Sequence, residues 1–145
     1  MSSSHLTAFF EKWDKVHQQS INVMKTAPSE KFNWKPAGSD VSLGDLMKHI
    51  PQSELFLVGL IVGKTPSNIG LETLNTTEEV ITAFENIHKD CKAALLDFPE
   101  DRFEELAQLG ANKLPKKYLL DGICEHEIHH RGHLYTYIQV ANASK

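Results

Sequence analysis

The chain is short of cysteine, of basic charge and of long apolar runs. Its 145 residues include 2 cysteines, Cys91 and Cys124, and they do not stand in CxxC spacing. A disulfide framework is thereby excluded, and reduced thiols in a cytoplasmic protein are the simplest account. Lysine and arginine number 15 against 19 aspartates and glutamates, a formal charge of −4. Lys116-Lys117 is the one basic doublet of the second half before Arg131. No nucleic-acid partner and no anionic lipid surface is expected from that balance. The longest apolar run, Leu55 to Gly63, is too short to span a bilayer, so no membrane partner is expected. The opening Met1-Ser-Ser-Ser-His5 has neither the charged nor the apolar region of a signal peptide. Repeats, low-complexity tracts and sustained strand alternation are also missing. With 41% apolar and 23% charged residues, the chain suits one globular domain over residues 1–145.

What is present is helical periodicity, in four long segments. The first runs from Ser4 to Thr26, with Leu6, Phe10, Trp13, Ile21 and Met24 on one face and Pro28 as its stop. The second opens at Ser42, with Asp45 placed to complete a capping box, and ends at Gly63 and Pro66. Pro51 lies inside it and is expected to kink or split the helix near Met47 to Ile50. The third starts at Thr76-Thr-Glu-Glu79, a second capping box, and reaches Asp97, before Pro99. The fourth begins near Pro115, a good first-turn residue, and continues to Ala141. Residues 64–75 and 99–113 read as loops across the ends of the bundle. The expected fold is all-α: a four-helix bundle with long crossover connections, whose core can hold a metal site.

The chemistry concentrates in His126-Glu-Ile-His-His-Arg-Gly-His133, with four of the chain's 8 histidines. Residues four apart on a helix share a face, so His126 pairs with His130 and His129 with His133. At roughly 100° per residue, Leu119, Ile123, Leu134, Tyr137 and Ala141 gather on one side. His126 and His130 fall within that stripe. His129 and His133 lie toward its edge, and Ile128 and Tyr135 lie on the back. Stacked imidazoles suit a borderline-soft divalent ion. A third ligand is then needed, and His49, on the flank of the second helix's stripe beside Leu46, Ser53 and Leu60, can supply it. His17 is a rival third or fourth ligand, although a core histidine bonded to a neighbour is the more ordinary role. His88 reads as an edge residue, and His5 as solvated.

Around the cluster, Glu125 or Glu127 can orient an imidazole N–H, and Glu127 is the candidate general base. A solvated helix-surface carboxylate is its blander role. Arg131 suits pairing with an acidic helix neighbour, the more ordinary role, or contact with an anionic substrate; Gly132 permits a close helix approach, and Cys124 reads as packing rather than as a nucleophile.

These residues resemble the DinB superfamily, which includes metal-dependent hydrolases and thiol-dependent transferases. The resemblance is carried by Trp34-Lys-Pro36 with Val41-Ser-Leu-Gly-Asp-Leu-Met-Lys-His49, by His126-Glu-Ile-His-His130-Arg131-Gly132, which matches an H-x3-H-R-G signature, and by the helix spacing. It implies a bundle with a long crossover connection, often dimeric, and a metal triad of His49, His126 and His130. Two departures stand out. His133 occupies a position where glutamine is common, and Pro51 follows the first ligand by two residues, where it can shift His49. The expected cofactor is a divalent ion, Zn²⁺ or Ni²⁺. The expected function is metal-dependent hydrolysis or thiol S-transfer at an open water position, with a non-catalytic, stress-related metal-binding bundle as the alternative. A small-molecule substrate or thiol and a second copy of the chain are the expected partners.

Overall fold

The computed structural model describes residues 3–144. Helices α1 (Ser3–Met24), α2 (Leu43–Val62), α3 (Thr77–Asp97) and α4 (Lys116–Ala143) make the bundle. The capping box expected at Ser42 is complete, and the one expected at Thr76-Thr-Glu-Glu79 is only half made, because the Glu79 carboxylate accepts from the Asn75 amide instead of the Thr76 amide. Ser42 accepts from the Asp45 amide at 3.0 Å while the Asp45 carboxylate accepts from the Ser42 amide at 3.2 Å. Thr76 caps α3 through the Glu79 amide. Gly63 ends α2 in the left-handed region, φ 80°. Pro115 is the cap before α4 rather than its first-turn residue.

Pro51 does not split α2, which runs unbroken through it. The ring is buried, and apolar side chains on both sides of it, from Leu46 to Ile61, hold the helix against the core. The expected break is therefore overruled by packing.

The core has two apolar clusters. One gathers Trp13, Leu57, Ile61, Ile87, Leu95 and Leu119. The other gathers Ile21, Met24, Leu43, Ile50, Phe84 and Leu134. Following each helix from one cluster to the other gives its direction: α1 and α4 run one way, α2 and α3 the other. α2 packs against α3 and α4, and α1 packs against α3 and α4. Because α2 and α3 are parallel neighbours, the chain between them must return the length of the bundle. Residues 64–75 do this, burying Leu71 on the way, so they run along the bundle and not across its end.

The second connection also differs from a plain loop. Residues 100–104 form a 3-10 turn, and β1 (Leu106–Leu109) pairs antiparallel with β2 (Asn112–Pro115). Leu109 faces Asn112 across a two-residue turn whose first residue, Gly110, has φ 60°, as hairpin turns with glycine in first place require. The hairpin lies across α2 and α4. Four-residue strands with mostly exposed side chains leave no alternation to detect.

Between the two clusters lies a buried polar layer to which every helix contributes: His17 and Ser20, Glu54, His88, and Glu127. His88 is not the edge residue its position suggested. It is buried, with Nδ1 at 3.2 Å from Glu54 Oε1 and Nε2 at 2.9 Å from Asp14 Oδ1. Burial opposes its charge, but the two carboxylates outweigh it and hold its pKa above the ordinary value. His17 stacks face to face on it at 3.9 Å. Burial first, and the His88 charge second, push the His17 pKa down to about 3.

The His17 shift has a consequence for acid stability. A buried histidine held neutral takes up a proton more readily when unfolded, so its contribution is full above about pH 6.5 and lost as pH falls toward 3. Thermal unfolding of His17→Phe should show a shallower loss of Tm between pH 6.5 and 4 than the parent chain. Parallel acid limbs would show that His17 does not titrate with unfolding.

Candidate metal centre

His49 projects from α2 across the seam to α4, where His126 and His130 stand one turn apart. All three are half-buried. Their candidate ligand nitrogens lie within 4.8 Å of one another. His49 Nε2 and His130 Nε2 are 3.1 Å apart. Two imidazole nitrogens on one tetrahedral zinc, with bonds of about 2.0–2.1 Å, are separated by about 3.3 Å. The donor set and its spacing therefore fit a single divalent ion. The Pro51 position does not move His49 out of reach.

Electrostatics favour the neutral form that a ligand needs. His130 is pushed down to about 4, by burial first and then by the positive charge that His49, His126, His129 and His133 would carry. His49 is lowered by burial and His133, and His126 by burial, His49 and His129. Two protonated imidazoles cannot stand this close without cost, so the cluster sheds protons well before neutral pH.

Ser53 was not singled out as a site residue, yet it belongs to the cluster. Its Oγ lies 3.0 Å from His126 Nε2 and 3.4 Å from His49 Nε2, and it donates to the His49 carbonyl at 2.9 Å. The only sequence signal for it was its place one turn after His49 on the same face. A pocket of about 450 Å³ opens beside these groups, lined by His49, Ser53 and His126 on one side and by Phe56, Leu57 and Leu109 on the other.

Comparison with known sequences decides the family. A sequence model of the DinB family matches residues 1–141. The chain belongs to the DinB family. It is 25% identical over 113 residues to the YjoA protein of Bacillus subtilis strain 168, which covers 76% of this chain and 73% of that protein. The crystal structure of that DinB-like protein superposes with a TM-score of 0.69 at 22% identity, covering 89% of this chain and 88% of the other. A DinB-like protein from Bacillus cereus ATCC 10987 superposes with a TM-score of 0.79 at 14% identity, covering 92% and 91%. These two likenesses establish the bundle shared by DinB proteins.

The remaining site candidates of this DinB chain distribute as follows. His129 and His133 are exposed, outside the triad, and His133 packs edge-on to Tyr137 at 5.1 Å. His17 lies in the polar layer with His88 and is no ligand of this cluster. Cys124 is buried and free, its thiol pushed up to about 11 by burial, consistent with packing. Arg131 donates to Gln19 Oε1 at 2.8 Å rather than to an acidic neighbour. Gly132 faces open space: a Cβ there would meet nothing within 4 Å, so it serves no close helix approach.

Glu127 is not solvated. It is buried toward α1, where Ser20 Oγ donates to it at 2.7 Å. Among the described residues, neither Glu125 nor Glu127 hydrogen-bonds an imidazole of the triad, and the buried Nδ1 of His130 has no partner. Burial first, and the nearby Glu54 second, push Glu127 up to about 7. A carboxyl raised in this way favours the native state most below about pH 4.5 and progressively less as pH rises to 7. Glu127→Gln should therefore compare better with the parent at pH 8 than at pH 5 in Tm, and a stability difference independent of pH would contradict the shift.

Proposed function

We propose that His49, His126 and His130 bind one divalent ion, Zn²⁺ or Ni²⁺, and that this DinB protein is a metal-dependent hydrolase or thiol S-transferase. The observation that carries the reading is that two of the three imidazoles, His49 and His126, line a pocket of about 450 Å³, a volume suited to a small molecule. A site meant only to store an ion or brace the fold gains nothing from such an opening. When bound, the ion polarises a carbonyl or lowers the pKa of a coordinated water or thiol. The chain's own residues do the rest. Three uncharged ligands would leave the net positive charge of a bound ion intact, and two of them, His49 and His126, also line the pocket. Ser53 holds its hydroxyl beside the His126 ring and steadies the turn that carries His49.

Glu127 stays in this reading as the acid–base candidate, since a pKa near 7 suits proton transfer near neutral pH. The alternative, a non-catalytic metal-binding bundle, is favoured by one observation: no carboxylate contacts the triad among the described residues.

Calorimetric titration with Zn²⁺ should give one site per chain, lost or weakened by at least 10-fold, roughly the cost of one first-sphere group, in His130→Ala. Unchanged affinity and stoichiometry would remove the assignment. Because all three pKa values are depressed, proton competition should become strong only below about pH 6. With Co²⁺ in place, a small thiol or acetohydroxamate should alter the visible spectrum, and an unaltered spectrum with Co²⁺ bound favours the non-catalytic alternative.

The reading also includes a homodimer through the outer face of α4, where Ile128 is 40% and Tyr135 55% exposed. Light scattering at roughly tens of micromolar should report a dimer mass, and a monomer mass removes this part.

A further inference from the structure

The pocket beside the triad is built to hold hydrocarbon. Besides His49, Ser53 and His126, its lining is Gln52 and the apolar Phe56, Leu57 and Leu109. Phe56 leaves 57% of its surface exposed, an unusual cost for a phenyl ring that covers no core. Leu109 arrives from the hairpin, at the last pair before its turn. Leu57 and Leu109 also line a second, adjacent hollow of about 610 Å³ that reaches Tyr118 and Leu119. His126 lines both, and His49 lines the first. No lysine or arginine lines either hollow among the described residues, and Asp121 and Glu125 lie along the second. A phosphate or polycarboxylate would find no cationic side chain in either lining and would meet like charge in the second.

We infer that this groove binds the uncharged alkyl or aryl chain of a small amphipathic substrate, with the substrate's polar head at the triad, and that Leu109 and Phe56 set its specificity. The inference rests on the triad being a metal centre for the placement of the head, and on the groove alone for the chain. The hairpin then has a role: it closes one side of a groove that α2 and α4 would otherwise leave open. Burial of each methylene of the chain contributes a tightening of about three- to fourfold. The polar end contributes orientation, since Ser53, Gln52 and the imidazoles of His49 and His126 are the polar groups of the pocket's lining.

The experiment uses straight-chain alkyl hydroxamates, from acetyl to octanoyl, titrated into the Zn²⁺-loaded full-length chain by calorimetry. Affinity should climb about three- to fourfold per methylene until the groove is filled. In Leu109→Asp and Phe56→Ser, both at exposed or half-exposed positions and checked for helix content, the climb should flatten while acetohydroxamate binds as before. A flat series in the parent chain, with acetohydroxamate still bound, overturns the groove and leaves the metal reading standing. A rising series that both variants leave unchanged also overturns the assignment of the groove. If no hydroxamate binds, ligand-observed NMR with 1-hexanol separates the two readings. Hexanol binding to the parent but not to Leu109→Asp upholds the groove and rejects an open position on the ion for the substrate's head. No binding of either probe rejects both.

Discussion

A polar layer crosses the middle of the bundle, and its satisfaction fixes how the four helices are set against one another. His17, Ser20, Glu54, His88 and Glu127 are all buried between two apolar clusters. An apolar core tolerates a helix sliding by one turn far better than a layer of this kind does. Such a shift would leave Glu54 without His88 and Glu127 without Ser20, and each buried orphan costs about 1–3 kcal/mol or more if charged. The register that pairs these groups is the register that brings His49 level with His126 and His130. The layer is thus a positioning device for the triad, although it shares no side chain with it.

The triad depends on a second constraint, the fit of the α2 and α4 backbones near His49. A methyl group on Gly44 would overlap the Phe32 ring, so only glycine lets that ring lie on the first turn of α2. The chain before α2 is tied down as well: the Leu43 amide donates to the Trp34 carbonyl and the Gly44 amide to the Phe32 carbonyl. Trp34 meets Tyr137 of α4 edge-on at 5.9 Å, and the Tyr137 hydroxyl donates to the Val41 carbonyl. The Trp34-to-His49 segment therefore anchors α2 on α4 a few turns from the site. Imidazoles held by two helices anchored in this way stand close together beforehand, which would lower the ordering cost of taking up an ion.

Much of this was legible in the sequence because it depends on periodic or short-range signals. Helix limits followed from Ser42, Thr76, Gly63 and the prolines, and the inward pair His126 and His130 from the spacing of Leu119, Ile123, Leu134 and Ala141. The features that were not legible depend on contacts distant in sequence. His88 looked like a surface residue because the carboxylates that make its burial tolerable come from α1 and α2. Glu127 looked solvated because its partner Ser20 is 107 residues away. Pro51 looked disruptive because a local rule ignores the packing on both sides of it. The hairpin escaped because its strands are four residues long and expose most of their side chains to solvent. Its Gly110 was the one local sign, and Leu109, which reaches the pocket through it, could not be placed without the turn.

The central claim is that three imidazoles from two helices hold one ion and leave a coordination position to the pocket. X-ray absorption at the zinc edge of the loaded chain tests it most directly. The account predicts three nitrogen scatterers with the outer-shell pattern of imidazole and one lighter oxygen ligand, all at about 2.0–2.1 Å. A sulfur neighbour at about 2.3 Å, or fewer than three imidazoles per ion, would contradict it.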